Sequence, residues 1–272
     1  VLSTINGEFE LFLDLRSRTE FVPFYTGAYD GKIISQLVSL FDENWIVLDV
    51  GANIGFYAVP FARKIQTLNG RLLCFEPVPE NYDRLRENLQ LNNLDRECVQ
   101  TYRFALSNTA GKLQIILRED FKSGGGTGNA SVFIDDQADG EFKAIQVEAI
   151  RLDDFVQENL HGRIDFIKVD IEGHEDLFFE GADAVLRRDR PIVFSEFNED
   201  YYRRRGVMLD IWMRGFVTKY NYLFARPGLD GIWVSIDTLV SRRNTDDVLL
   251  IPKEKANAVL KILNRASSCG AP

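Results

Sequence analysis

Val47-Leu48-Asp49-Val50-Gly51-Ala52-Asn53-Ile54-Gly55 decides how this chain is read. An apolar run, Trp45 to Val50, breaks into a short turn at Gly51, and Phe56 to Lys64 resumes with helical spacing. Strand, glycine turn and helix in that order open an α/β unit. A glycine there lets the backbone approach a ligand closely at the mouth of the helix. A dinucleotide fingerprint would need glycines at the second and third positions of the turn, where this chain has Asn53 and Phe56. A pyrophosphate cradle is therefore poorly supported. A glycine-poor turn preceded by Asp49 suits a ligand with a zwitterionic amino-acid tail and no phosphate.

Outward from that turn the alternation continues. Arg71 to Phe75 is a second strand, followed by Glu76-Pro77 and a helix beginning near Pro79, with Tyr82, Leu85 and Leu89 on one face. An acidic residue at the end of the second strand can accept hydrogen bonds from both hydroxyls of a ribose, and Pro77 stiffens the turn after it. Val99 to Phe104 reads as a third strand, and Ala105-Leu106-Ser107-Asn108 beyond it is small and polar enough to receive a flat base. Ile164 to Val169 and Pro191 to Phe194 are two further strands. Continuous apolar strands separated by helices predict a Rossmann-like, mostly parallel sheet covered on both faces, with ligands outside the carboxyl ends. S-adenosylmethionine has the amino-acid tail, ribose and base that these positions ask for. Its expected contacts are Asp49, Gly51, Ala52, Asn53, Gly55, Glu76, Pro77, Ala105, Ser107 and Asp170.

The segment Val47 to Gly55, followed by Phe75-Glu76-Pro77, resembles the FkbM-type methyltransferases. So do Arg151-Leu152-Asp153 and Ile167-Lys168-Val169-Asp170-Ile171-Glu172-Gly173-His174-Glu175. Three motifs in the family's order make the likeness specific over roughly residues 45 to 200. It implies a class I methyltransferase fold, S-adenosylmethionine as donor, and as acceptor a hydroxyl of a sugar, polyketide or similar small metabolite.

Methyl transfer to an alcohol requires near-attack positioning and removal of a proton. The strand ends place Asp170, Glu172, His174 and Glu196 at the sheet's edge. His174 would serve as a base with its ordinary pKa near 6.5, while Glu172 or Glu196 would need an apolar setting to raise theirs. Glu175 reads as a first-turn acid favouring the helix dipole. Carboxylates at Asp153, Asp170, Glu172 and Glu196 suit Mg²⁺ in type, but no paired spacing demands a metal, and none is expected. The Gly-rich stretch Ser123 to Ser131 is a candidate lid, with Asn129 and Ser131 as contacts. Tyr201-Tyr202-Arg203-Arg204-Arg205 reads either as a grip for an anionic group or as a solvated helix face.

The rest of the chain bounds the answer. Residues 1–42 read as an N-terminal helical cap, in which Ile33, Ile34, Leu37, Leu40 and Phe41 follow helical spacing. Residues 43–272 form the methyltransferase-like domain, with an irregular β and glycine-rich insertion at about 112–150. Asn221 to Ala225 and Val248 to Ile251 read as strands, and Ala256 to Leu263 as a last helix. A net charge of −9 argues against nucleic acid and anionic membranes as partners. No run approaches the roughly 20 apolar residues of a membrane span. Three cysteines without CxxC spacing point to a reducing, cytoplasmic setting. Two alternatives stay open: a nicotinamide-dependent oxidoreductase, and a methyltransferase acting on a macromolecule.

Overall fold

The computed structural model describes residues 1–94, 97–117, 130–132, 140, 142–228, 231–236 and 245–269. The glycine run at 124–128 and Asn129 lie outside the described residues. In chain order the strands are β1 (Leu2–Ile5), β2 (Phe9–Phe12), β3 (Ile46–Val50), β4 (Arg71–Phe75), β5 (Val99–Tyr102), β6 (Ala105–Leu106) and β7 (Gly111–Leu117). They continue with β8 (Ala130–Val132), β9 (Lys143–Ile150), β10 (Ile164–Val169), β11 (Ile192–Asn198), β12 (Tyr222–Pro227), β13 (Trp233–Ile236) and β14 (Thr245–Pro252).

Eight of them form one sheet in the order β13-β12-β14-β11-β10-β3-β4-β5. The five from β11 to β5 run parallel, and β14, β12 and β13 complete the sheet with antiparallel pairings. Every residue of β3 and of β10 is buried, as expected of strands covered on both faces. Alternation within β3 feeds two cores. Val47 joins the one containing Phe61, Phe166 and Phe194, while Ile46, Leu48 and Val50 join that of Phe155, Phe178 and Phe216. The chain leaves β3 toward β4 and β5, then returns to β10 on β3's other side. The gap between β3 and β10 is thus the switch point where ligands of such sheets bind.

The first 42 residues differ from the helical cap expected. They hold the antiparallel β1–β2 hairpin as well as the helices Arg18–Thr26 and Gly31–Val38. Phe9, Leu11 and Leu13 alternate with exposed or half-buried neighbours and enter the first core together with Ile34, Leu37 and Phe41. Polar clasps fix this segment. Buried Glu20 pairs with Arg84 at 2.5 Å. Buried Asn88 accepts the Phe12 N–H at 2.7 Å and donates to the Ile54 carbonyl at 2.9 Å. At the opposite end, the Gln36 side chain donates to the carbonyls of Gly231 and Leu263 and accepts the Trp233 indole N–H at 3.1 Å.

The insertion forms a second sheet, β6-β9-β7-β8. Its apolar side, Ile115, Leu117, Val147 and Ala149, packs with Val78 and Ala105 in a small third core. That core sits beside the end of β4, which brings the insertion to the rim of the switch point.

Candidate cofactor and transfer site

Gly51 shapes the turn after β3. Its φ of +75° is left-handed, and a Cβ there would lie 1.9 Å from the Asp170 carbonyl oxygen, so only glycine fits. The N–H groups of Gly51 and Ala52 both donate to the Phe75 carbonyl, at 2.9 and 3.0 Å. Asn53, also left-handed at φ +50°, turns its N–H toward Glu76, whose Oε2 accepts it at 2.8 Å. The other oxygen, Oε1, accepts the Val78 N–H at 2.9 Å. Burial pushes the Glu76 carboxyl up to about 7, against the opposing pull of those two N–H groups. A carboxylate retains acceptor positions beyond the two used here.

A cavity opens at this point. Gly51, Asn53, Glu76, Pro77, Ala105, Asp170, Glu172 and His174 all line it, so eight residues singled out from the sequence meet at one place. Its remaining wall is largely apolar and includes Val78, Leu106, Ile115 and Val132. Asp49, Ala52, Gly55, Ser107 and Glu196 are not part of that wall. Ala52 is a buried core residue, and Gly55 faces Leu85 and Val59. Ser107 places its Oγ 2.9 Å from His174 Nε2.

Asp49 acts from behind the turn. It is fully buried, and its nearest charge is Lys168 on β10, whose Nζ stands 3.4 Å from its Oδ1. The same ammonium lies 3.5 Å from Asp170 Oδ2 and donates to the Gly51 carbonyl at 3.0 Å. These carboxylates hold the Lys168 ammonium above its ordinary pKa despite its burial. Sequence reasoning passed over Lys168, although a lysine inside a buried apolar strand is itself a signal: it requires counter-charges.

Carboxylates line the edge beyond Lys168. Val169 pairs with Ser195, so Asp170 and Glu196 follow side by side on neighbouring strands, and Glu196 pairs directly with Asp247 on β14. The Asp170 charge, burial, and the charges of Asp247 and Glu172 together raise the Glu196 carboxyl well above the usual range. From the N-terminal segment, Asp30 reaches the same region and accepts the Tyr57 hydroxyl at 3.0 Å.

The surroundings of three features differ from or sharpen what the sequence suggested. His174 is 4% exposed, and burial first, then the charge of Arg205, pushes its pKa down to about 4. The ring is held neutral, with a pKa below the ordinary value near 6.5 expected for it. Glu175 does more than favour a dipole. Its Oε1 accepts the N–H groups of Ile171 and Gly173, its Oε2 accepts the Tyr202 hydroxyl, and it thereby shapes the Asp170–His174 turn. The run at 201–205 is committed internally: Arg205 forms a bidentate pair with Asp176 at 2.7 and 2.9 Å, Arg203 pairs with Asp200, and Arg204 lies over the Tyr201 ring. Asp153, offered by type as a metal ligand, instead accepts the N–H groups of Ala184 and Val185, both at 3.0 Å. Among the described residues, no group of three or more His, Cys, Asp or Glu side chains is placed to hold a metal ion. No helix among them is long and apolar enough to cross a membrane.

Strand order, the glycine turn after β3 and the carboxylate after β4 define a class I methyltransferase architecture. Residues 49–224 match the Methyltransferase FkbM domain, and the chain belongs to that family. That membership removes the oxidoreductase alternative. Among relatives, Methyltransferase 1 of Beauveria bassiana is 26% identical over 163 residues, covering 54% of this chain and 61% of that protein. The 2-O-methyltransferase NoeI of Sinorhizobium fredii is 29% identical over 185 residues, covering 62% of this chain and 70% of that protein. A solved structure, Methyltransferase FkbM from Methylobacillus flagellatus, superposes with a TM-score of 0.48 at 15% identity, covering 77% of this chain and 44% of that one.

Proposed function

We propose that this chain transfers a methyl group from S-adenosylmethionine to a hydroxyl of a small, uncharged metabolite such as a sugar or polyketide. The observation that carries the reading is the junction of two half-sites: the Gly51–Glu76 cradle and the carboxylate edge at Asp170 and Glu196. The residues fit the donor. Gly51 brings backbone close where a Cβ would collide, Glu76 offers carboxylate oxygens to a diol, and Asn81 and His174 present buried polar atoms without partners among the described residues. Gly51 and Asp170 are suited to hold the amino-acid tail, and Glu76 the ribose.

Bound there, S-adenosylmethionine supplies a methyl group already activated by its sulfonium. The chain's task is to position the acceptor and take its proton. Glu196 is the group we assign to proton removal. Its neighbours raise its basicity, whereas His174, with a pKa of about 4, is a poor acceptor of that proton. With the donor bound, its sulfonium would supply the methyl group for the acceptor oxygen, and the ionised form of Glu196, made a stronger base by its acidic neighbours, would take the hydroxyl proton. The excess of carboxylates over the single Lys168 at this edge disfavours phosphate or carboxylate acceptors. The 2-O-methyltransferase activity for which NoeI is named supports oxygen as the acceptor atom. Fully buried Cys74 as a free thiol supports a reducing compartment.

Parallel calorimetric titrations with S-adenosylmethionine, S-adenosylhomocysteine and NAD test the donor. Binding of the two adenosyl ligands with NAD silent is the expected result, and binding of NAD alone overturns the proposal. Transfer of labelled methyl to a panel of hydroxylated metabolites, lost in Glu196→Gln, then tests the acceptor chemistry.

A further inference from the structure

One side chain that fits the donor site has been given no specific partner on it. Asn81 is the third residue of the helix Pro79–Leu91. It is 2% exposed, lines the same cavity as Glu76, and its Oδ1 has no hydrogen-bond partner among the described residues. Native proteins rarely tolerate a buried polar atom left without a partner. A second such atom is Nδ1 of His174, another residue of the cavity wall, whose Nε2 is taken by Ser107. Around them the wall is largely apolar, with Val78 beside Ala105, Ile115 and Val132 of the insertion sheet. Such a wall suits a flat heterocycle whose polar edge meets a stranded polar atom.

An asparagine amide presents an acceptor and a donor side by side. That pair matches the 6-amino group and N7 of a 6-amino purine, which asparagine can bond bidentately. A 6-oxo purine offers acceptors at both O6 and N7 and cannot form both bonds on that edge. We propose that Asn81 reads the edge of the nucleobase and makes this pocket selective for 6-amino purines. The proposal rests on the adenosyl reading of the site.

The test is calorimetric binding of S-adenosylhomocysteine and S-inosylhomocysteine, which differ only at the purine 6-position, to the whole protein and to Asn81→Leu. Leucine keeps the shape of asparagine without its hydrogen-bonding groups. The wild-type protein is expected to prefer the adenosyl ligand by on the order of 10- to 100-fold. In Asn81→Leu that preference should collapse to about 2-fold, through weaker adenosyl binding, while the melting temperature of the ligand-free protein holds or rises, because a stranded polar atom has been replaced by an apolar one. Asn81→Ala provides the same ratio should the leucine variant not fold. Equal wild-type affinity for both ligands, or a preference that survives in the variants, overturns the assignment of Asn81 while leaving the donor reading intact. Wild-type binding of neither ligand overturns both.

Discussion

Replacing Lys168 by methionine should destabilise this protein more than almost any other single change near the site. Asp49 is fully buried and Lys168 is 3% exposed. Neither oxygen of Asp49 has a well-aligned hydrogen bond from the described residues, so the ammonium 3.4 Å away is its main compensation. Removing one partner of a buried pair typically costs about 3–5 kcal/mol, because the other charge stays behind uncompensated. For a domain somewhat above 250 residues, each kcal/mol moves the melting temperature by about 2–4 °C, giving a loss of about 6–20 °C. The sign of the pH dependence follows. Burial already raises the Asp49 carboxyl above its ordinary 3.8, and without Lys168 it rises further. A group whose folded pKa is raised loses stability as pH climbs from its unfolded value toward its folded one. The deficit of Lys168→Met should therefore be smaller at pH 5 than at pH 8. Adding Asp49→Asn removes the stranded charge, so the double variant should melt above Lys168→Met alone. Differential scanning fluorimetry of the four proteins at both pH values measures all of this. A single variant melting within 2 °C of wild type, or a double variant whose losses simply add, would refute the account of Lys168 as the pillar under Asp49.

Three further outcomes are expected. Glu196→Gln should stabilise the ligand-free protein progressively as pH rises above 4.5, the ordinary glutamate value, because the native carboxyl is held above it and resists ionisation; a variant-minus-wild-type melting difference that stays flat across pH would contradict this. Gly51→Ala should fail to give a stable fold or melt at least about 8 °C lower, since the left-handed backbone costs about 1–2 kcal/mol and the Cβ meets the Asp170 carbonyl; a melting curve matching wild type would show that the turn can relax. Asp153→Ala should lose about 1–2 kcal/mol in urea unfolding, the cost of a missing helix cap, with adenosyl-ligand affinity unchanged; weakened binding would mean that this motif residue has a role beyond holding the helix Asp183–Arg188.

The parallel half of the sheet was legible because β3, β4 and β10 are buried on both faces and read as short, mostly apolar runs, each too short for a helix and bounded by turn residues. Glu76 was legible because its spacing from the Gly51 turn is fixed by one helix and one strand. The β1–β2 hairpin was harder. Phe9 and Leu11 do alternate with Glu8 and Glu10, but over too few residues to stand out against the helical spacing of Ile33 to Phe41, which set the reading of the whole segment. Lys168 was overlooked because it was read as part of a motif instead of as a charge in an apolar strand. Asn81 gave no local sign at all: an asparagine in a first helical turn is ordinary, and only the cavity beside it makes it conspicuous. For His174 the residue type suggested a base of ordinary pKa, and the burial that lowers that pKa is invisible to sequence.

The clasp at Gln36 has a consequence for how the polypeptide is made. Its side chain is satisfied by groups 195 to 227 positions downstream, and the central strand β3 lies beside a partner, β10, more than a hundred residues later. Contacts of that span close late. While the chain emerges from the ribosome, Ile34 and Leu37 of the helix Gly31–Val38 can already meet early partners such as Leu13 and Phe61, but the side that carries Gln36 stays open until Trp233 and Leu263 have been synthesised. Chaperone engagement is expected to fall on that open side and to end with the arrival of the last helix, Ala256–Cys269.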